Sequence, residues 1–269
     1  MIRDFPLPDA QVPAVRDWLS HPTVGVTPRP ASTVMLLRPA SGSHPFEVYM
    51  VRRASTMAHT PGVSAFPGGS VRPDDDDLDI PILGPSADVW AWRLNEEEEM
   101  AHRMLLAAAR EVFEESGVLL ARGNYVSLEC EEWEDERREV EAHRLDFGDM
   151  LREHSLALDF RSVAFRGMWT TPDYSPRRYA VAFFTALLPE GQNPVLASSE
   201  ATRAAWDTPA GHLARAERGE ITLVAPTRVN LEELAAASSL DEALESVTRH
   251  VKFVPTQRAS GEFVLRWET

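Results

Sequence analysis

Residues 110–118 read Arg110-Glu111-Val112-Phe113-Glu114-Glu115-Ser116-Gly117-Val118, and upstream residues 66–69 read Phe66-Pro67-Gly68-Gly69. The first string closes a run, Ala101–Ser116, that is rich in Ala, Leu, Met, Arg and Glu and holds neither Gly nor Pro. Such a composition predicts a strong helix, with Gly117 placed as its C-terminal cap. On that helix Glu111 and Glu115 stand one turn apart on one face, and Glu114 is three residues from Glu111, so the three carboxylates converge. Carboxylates this close repel unless positive charge sits among them. Arg110 supplies one charge, and a hard divalent cation such as Mg2+ or Mn2+, which prefers oxygen ligands, would supply the rest. A solvated Glu-rich face is the alternative that the helix alone leaves open.

Outward from that helix the chain alternates strands and helices. Ala31–Leu37 and Phe46–Arg52 are β-rich and apolar, joined as a hairpin by the loop Pro39–Pro45. Ala58–Gly69, with its glycines and prolines, is a shaped loop. Residues 72–100 change character: the acidic runs Asp74–Asp77 and Glu96–Glu99 flank Trp90 and Trp92, and the stretch reads as an inserted surface segment with some helix near its end. Cys130–His143 reads as a charged, solvent-facing helix and Asp146–His154 as another. Ser162–Thr170, Arg178–Leu188 and Arg203–Asp207 read as strands. Pro209–Arg218, Asn230–Ser238 and Leu240–Val251 read as helices, and Glu262–Trp267 as a last strand. The first 30 residues, rich in proline, read as a loosely structured lead-in with one short helix near Ala14–Leu19. The class is α/β or α+β.

Composition sets the remaining bounds. With 269 residues, 43% of them hydrophobic, the chain can bury a sizeable core as one large domain. The formal net charge of −15 disfavours non-specific binding to nucleic acid or to an anionic membrane, while leaving an anionic substrate open if a metal ion screens the local field. The single cysteine, Cys130, fits a reducing cytoplasm and excludes a cysteine-built metal cage. The opening MIRDFPLPDA lacks the layout of a signal peptide, no apolar run is long enough to span a membrane, and the final Arg266-Trp267-Glu268-Thr269 is not a peroxisomal address.

The string from Arg110 to Val118 fits the second half of the Nudix box, REUXEEXGU with U aliphatic, at every specified position, and Phe66-Pro67-Gly68-Gly69 matches the glycine turn that opens it. The chain thus resembles the Nudix hydrolases. The resemblance implies an α/β/α sandwich with a mixed sheet, an inserted segment and extra C-terminal helices, as a single domain over residues 1–269 with residues 101–118 as the catalytic helix. It implies metal-dependent hydrolysis of a diphosphate linkage in a nucleoside diphosphate joined to another moiety. Glu111, Glu114 and Glu115 would be the metal ligands, with the Gly68 carbonyl as a further ligand and Arg110 orienting the carboxylates. A catalytically silent module that senses a nucleotide is the rival reading.

Two departures from the pattern matter. The box has a further Glu eight residues before its Arg, and this chain has His102 there; Glu98 and Glu99 are the candidate replacements. From Gly69 to Arg110 is 41 positions, where the box has 14. The coenzyme A diphosphatase-like branch resembles this interruption. Its upstream motif R-[SA]-x3-R-x3-G-x3-FPGG is met by Arg53-Ala54, Gly62 and Phe66–Gly69, with Ala58 in place of the second arginine. Trp169–Pro172 and Pro176–Tyr179 resemble the same branch. Arg53, Gly69, Arg177 and Arg178 are the candidate substrate contacts, and Glu200 a candidate base or ligand. The expected partner is a small nucleotide-type substrate, with a homodimer left open.

Overall fold

The Gly- and Pro-free run of Ala, Leu, Met and Glu folds as expected. In a computed structural model of the chain it lies within one helix, Glu98–Ser116. Gly117 takes φ 71°, the left-handed region that glycine enters without steric cost, and its N–H caps the Phe113 carbonyl. The structure describes residues 2–40, 42, 44–54, 62–123, 133–195 and 201–268.

In chain order the first elements are β1 (Ile2–Pro6), α1 (Val12–Ser20), β2 (Arg29–Pro39), β3 (Phe46–Arg53), β4 (Ser64–Ala65), β5 (Gly68–Ser70), β6 (Ile82–Leu83) and α2 (Ala87–Leu94). The middle comprises α3 (Glu98–Ser116), β7 (Ala121–Arg122), α4 (Glu134–Glu141), α5 (Phe147–Glu153), β8 (Ala157–Asp159), β9 (Val163–Thr170) and β10 (Tyr179–Leu187). The last part holds β11 (Ala201–Asp207), α6 (Pro209–Glu217), α7 (Ala225–Ala236), α8 (Leu240–Ala243), β12 (His250–Lys252), β13 (Val254–Gln257) and β14 (Phe263–Glu268).

The central mixed sheet runs β11-β3-β2-β10-β9-β12, with β10 parallel to β2 and antiparallel to β9. Alternation along β2 sends Val34 and Leu36 to a core shared with α2, α3 and α5, and Met35 and Leu37 to a second core shared with α7. The sheet is therefore buried on both faces, an α/β/α sandwich. β2 and β3 pair only near their turn, from Leu37↔Val48 to Pro39↔Phe46, and then splay. Into that gap β4 pairs with β3 and β5 with β2, which wedges Phe66–Gly69 between the strands. The Pro67 carbonyl accepts from the Val34 N–H and from Thr33 Oγ1, fixing the glycine turn over α3.

Four expectations are corrected. The first 30 residues are not a loose lead-in: β1 pairs along its length with β14 in a small sheet, Ile2↔Glu268 to Pro6↔Val264, and Asp4 binds Arg266 and Arg258, which hold its carboxyl down at about 2. The stretch 72–100 is not a surface segment. Trp90 is 1% exposed and meets the rings of Phe160 and Phe184 edge-on, Leu94 and Ile80 are buried beside it, and β6 pairs with β8. Trp92, one turn face away, stays in solvent. The charged helix begins at Glu134, within the described residues, and buries Arg137 and Val140 instead of facing solvent all round. Leu240–Val251 does not continue as a helix: α8 stops at Ala243, and His250–Lys252 instead pairs in parallel with Met168–Thr170.

If the 72–100 stretch is core, Trp90→Ala should cost about 3–5 kcal/mol of stability in a denaturant titration, the range for emptying a large aromatic site. A loss under about 1 kcal/mol would return the segment to the surface.

Candidate active site

Helix α3 delivers Arg110, Glu111, Glu114 and Glu115 at its C-terminal end, all buried. The three glutamates, Gly68, Gly69, Ser70, Arg53 and Arg72 line one cleft of about 290 Å³, with Glu141 and His143 on its wall. Glycine is required at both turn positions by close approach. A Cβ on Gly69 would overlap the Glu111 carboxylate, and one on Gly68 would lie 2.6 Å from the Ser32 carbonyl oxygen and Thr33.

Arg110 is 1% exposed and all its donors find acceptors. Nε and Nη2 bind the two Asp75 oxygens at 2.8 and 2.9 Å, Nη2 also reaches the Ser70 carbonyl at 3.0 Å, and Nη1 reaches Glu111 at 2.7 Å and Glu114 at 3.3 Å. Burial alone would lower its pKa; the Asp75 bonds and the Glu111, Asp75 and Glu114 charges more than reverse that and hold it above its ordinary value. Arg72 grips Glu114 with a second fork, 2.8 and 3.0 Å, and its backbone N–H binds Asp75 at 2.7 Å. Arg137, buried in α4, donates to the Glu114 carbonyl at 3.0 Å while paired with Glu134 and Glu141, so it ties α4 to the last turn of α3. Burial, followed by the Glu111 charge, pushes the Glu114 carboxyl up to about 7 against the pull of Arg110 and Arg72.

Asp75 is the residue that reading the sequence missed. The box's extra acid stands eight before the arginine in a 14-residue gap, hence six after the glycine. Counting back from Arg110 gives His102; counting forward from Gly69 gives Asp75, which is buried and holds Arg110 on both oxygens. His102 bonds to the backbone of Asp77, burial lowers its pKa, and Glu98 and Glu99 are exposed. Arg72 and Asp75 therefore belong with the site residues that they bind.

The other expected contacts divide. Arg53 reaches the cleft. Arg178 is buried and its guanidinium is bonded to the Thr171 and Val26 carbonyls and to Asp173, which removes it as a phosphate contact. Arg177 is exposed on a neighbouring cavity with Arg29 and Tyr179. Glu200, Ala58 and Cys130 lie outside the described residues.

Glu111, Glu114 and Glu115 fit a hard divalent cation: they offer carboxylate oxygens, the cleft holds more acids than arginines, and a glycine backbone is brought against Glu111. Among the described residues no three metal-binding side chains are gathered into a ready cage, because Glu111 is bonded to Arg110, and Glu114 to both Arg110 and Arg72.

Residues 93–234, more than half of the chain, match the family model described as the NUDT19 Nudix domain, and the chain belongs to the Nudix hydrolase family. Among solved structures it is similar to a NUDIX hydrolase from Alicyclobacillus acidocaldarius, at 26% identity over 81% of this chain and 96% of that one, with a TM-score of 0.65. It also matches a MutT protein from Methanosarcina mazei Go1, at 15% identity over 78% of this chain and 96% of that one, TM-score 0.42. A third match is the NUDIX domain of Shewanella oneidensis NrtR complexed with ADP ribose, at 11% identity over 86% and 97%, TM-score 0.41. No curated protein matches the sequence. The family generally uses divalent metal cations to hydrolyse nucleoside diphosphates linked to other moieties. No helix among the described residues is long and apolar enough to cross a membrane.

Two outcomes follow from this geometry. Asp75→Ala removes the principal partner of a buried guanidinium and should cost about 3 kcal/mol or more, read by chemical denaturation. The fold raises Glu114 above its ordinary 4.5, so the folded chain binds this proton more tightly than the unfolded one. That contribution is complete below the unfolded pKa and is lost as pH rises through about 7. In EDTA, the melting temperature of the wild type should fall more between pH 5.5 and 8 than that of Glu114→Gln, which has no such proton to lose; equal slopes would contradict the shift.

Proposed function

We propose that this chain hydrolyses the diphosphate linkage of a coenzyme A-like or other ADP-containing compound, with Mg2+ or Mn2+ held by Glu111, Glu114 and Glu115. The observation that carries the reading is the cleft itself, in which three buried carboxylates from one turn and a half of helix face a glycine turn and the free guanidinium end of β3. The Gly68 carbonyl is proposed as a further ligand. When bound, a divalent ion lowers the pKa of a coordinated water and neutralises charge on the phosphoryl oxygens.

The chain's own side chains do the rest. Arg110, clamped by Asp75, keeps the Glu111 and Glu114 carboxylates at the cleft, and an arriving ion would exchange their arginine contacts for its own. Arg53 supports the diphosphate from the cleft wall and Arg177 a more distant part of the substrate, since guanidinium forks match phosphate oxygens. Gly69 leaves the space beside Glu111 clear. Glu200 is proposed as the general base or an additional ligand. The match of Arg53-Ala54, Gly62 and Phe66–Gly69 supports placement in the coenzyme A diphosphatase-like branch.

The test is turnover on a panel of coenzyme A, ADP-ribose, NADH and dinucleoside polyphosphates, with products identified by mass spectrometry. Hydrolysis should vanish in EDTA and return with Mg2+ or Mn2+. Glu115→Gln keeps size and helix propensity and should lower kcat at least about 100-fold, since a metal site supplies several kcal/mol of barrier reduction. A fall of less than about tenfold with the fold intact, or full activity in chelator, would remove Glu115 or the metal from the mechanism.

A further inference from the structure

In a chain this acidic, an arginine without a partner is conspicuous. Nearly all its basic side chains reach a carboxylate, a backbone carbonyl or an aromatic ring, down to Arg16 over Phe263, Arg93 over Trp90 and Lys252 on Asp173. Among the described residues the exceptions are Arg53 in the catalytic cleft, Arg29 and Arg177 together in the neighbouring cavity, and Arg52 and Arg203 together in another. The last pair has no role in the chemistry described above.

Arg52 and Arg203 face each other directly across the antiparallel pairing of β3 and β11, beside a bulge between Ala201 and Arg203. Like charges in opposed positions of an antiparallel pair destabilise it. Both side chains line a cavity of about 320 Å³, with Arg215, Ser64 and the buried His212. Glu220, the one carboxylate on its wall among the described residues, is bonded to Arg215 and Arg218. The cavity lies on the sheet face of Met50, away from α3, and Arg52 precedes Arg53, which lines the catalytic cleft on the other face. One strand end thus presents a guanidinium to each side.

We propose that Arg52, Arg203 and Arg215 form a second anion site, built for a phosphate monoester. Two forks from adjacent strands can hold one phosphate bidentately, and a bound dianion turns the opposed-charge register from repulsive to attractive. The phosphate is either carried by the substrate, reaching round the end of β3 from the cleft, or is a free phosphate bound independently; the chemistry of the site is the same. The site does not require the hydrolase reading, whereas the substrate-borne source does.

The probe is inorganic phosphate, titrated calorimetrically and by thermal shift into the full chain in EDTA, where no turnover occurs. Wild type should bind phosphate and melt higher with it. Arg52→Gln/Arg203→Gln should bind at least tenfold more weakly, and in phosphate-free buffer should melt no lower than wild type, because opposed charges are gone. Arg52→Lys/Arg203→Lys, which keeps charge but lacks the forks, should fall between the two and covers the case in which the glutamine variant is unstable. Equal phosphate affinity in wild type and variants, or no binding by the wild type, overturns the site. Steady-state kinetics then assign the source. A substrate-borne phosphate predicts a raised KM for coenzyme A with KM for ADP-ribose unchanged in the glutamine variant, and a free phosphate predicts both unchanged while the binding loss persists.

Discussion

One buried guanidinium organises this molecule. Arg110 has no water to turn to, so every donor it carries must find an acceptor inside the protein. It finds them on Asp75, Glu111, Glu114 and the Ser70 carbonyl, which come from the loop after the glycine turn, from α3 itself and from β5. Removing any one acceptor leaves charge stranded in a low-dielectric interior. The constraint works in the other direction too: burial, and then the neighbouring Glu111 charge, push the Glu114 carboxyl up to about 7 in spite of Arg110 and Arg72. A site in that condition is complementary to an added cation.

The rest of the fold reads as the means of bringing those groups together. The splay of β2 from β3 opens a slot that β4 and β5 fill, and the glycine turn is thereby pressed against α3. Small residues on α3, Ala107–Ala109, let the helix lie close to the sheet, and Ser32 Oγ bonds to the Met104 carbonyl at 2.6 Å. The stretch between Asp75 and His102 contributes Trp90 and Leu94 to the core under the same helix. There it packs against α3.

The charge distribution is consistent with work on phosphate despite a net charge of −15. Most arginines are neutralised where they stand, in pairs such as Arg38–Glu47 and Arg249–Glu233, which contribute packing and little field. The unpartnered ones are gathered at the cleft and at two cavities beside the central sheet. A small number of free guanidiniums in an otherwise acidic surface can select an anion locally while the molecule as a whole repels polyanions.

What the sequence determined by itself was local: the extent and cap of α3, the convergence of Glu111, Glu114 and Glu115 on it, the strands at Ala31–Leu37 and Phe46–Arg52, and the glycine turn at Phe66–Gly69. Those follow from helix periodicity, strand alternation and the conformational freedom of glycine, all set within a few residues. Which acid would clamp Arg110 was not legible, because Asp75 sits in a run of four aspartates that look alike until the chain folds, and only one is placed against the guanidinium. The pairing of β1 with β14 was equally hidden, since strands more than 250 residues apart carry no local mark of each other. Arg177 and Arg178 are adjacent and chemically identical, yet backbone carbonyls and Asp173 enclose the second and leave the first in solvent. Only the tertiary structure decided these, since a buried charge takes the acceptors that packing brings to it, and packing is a property of the whole chain.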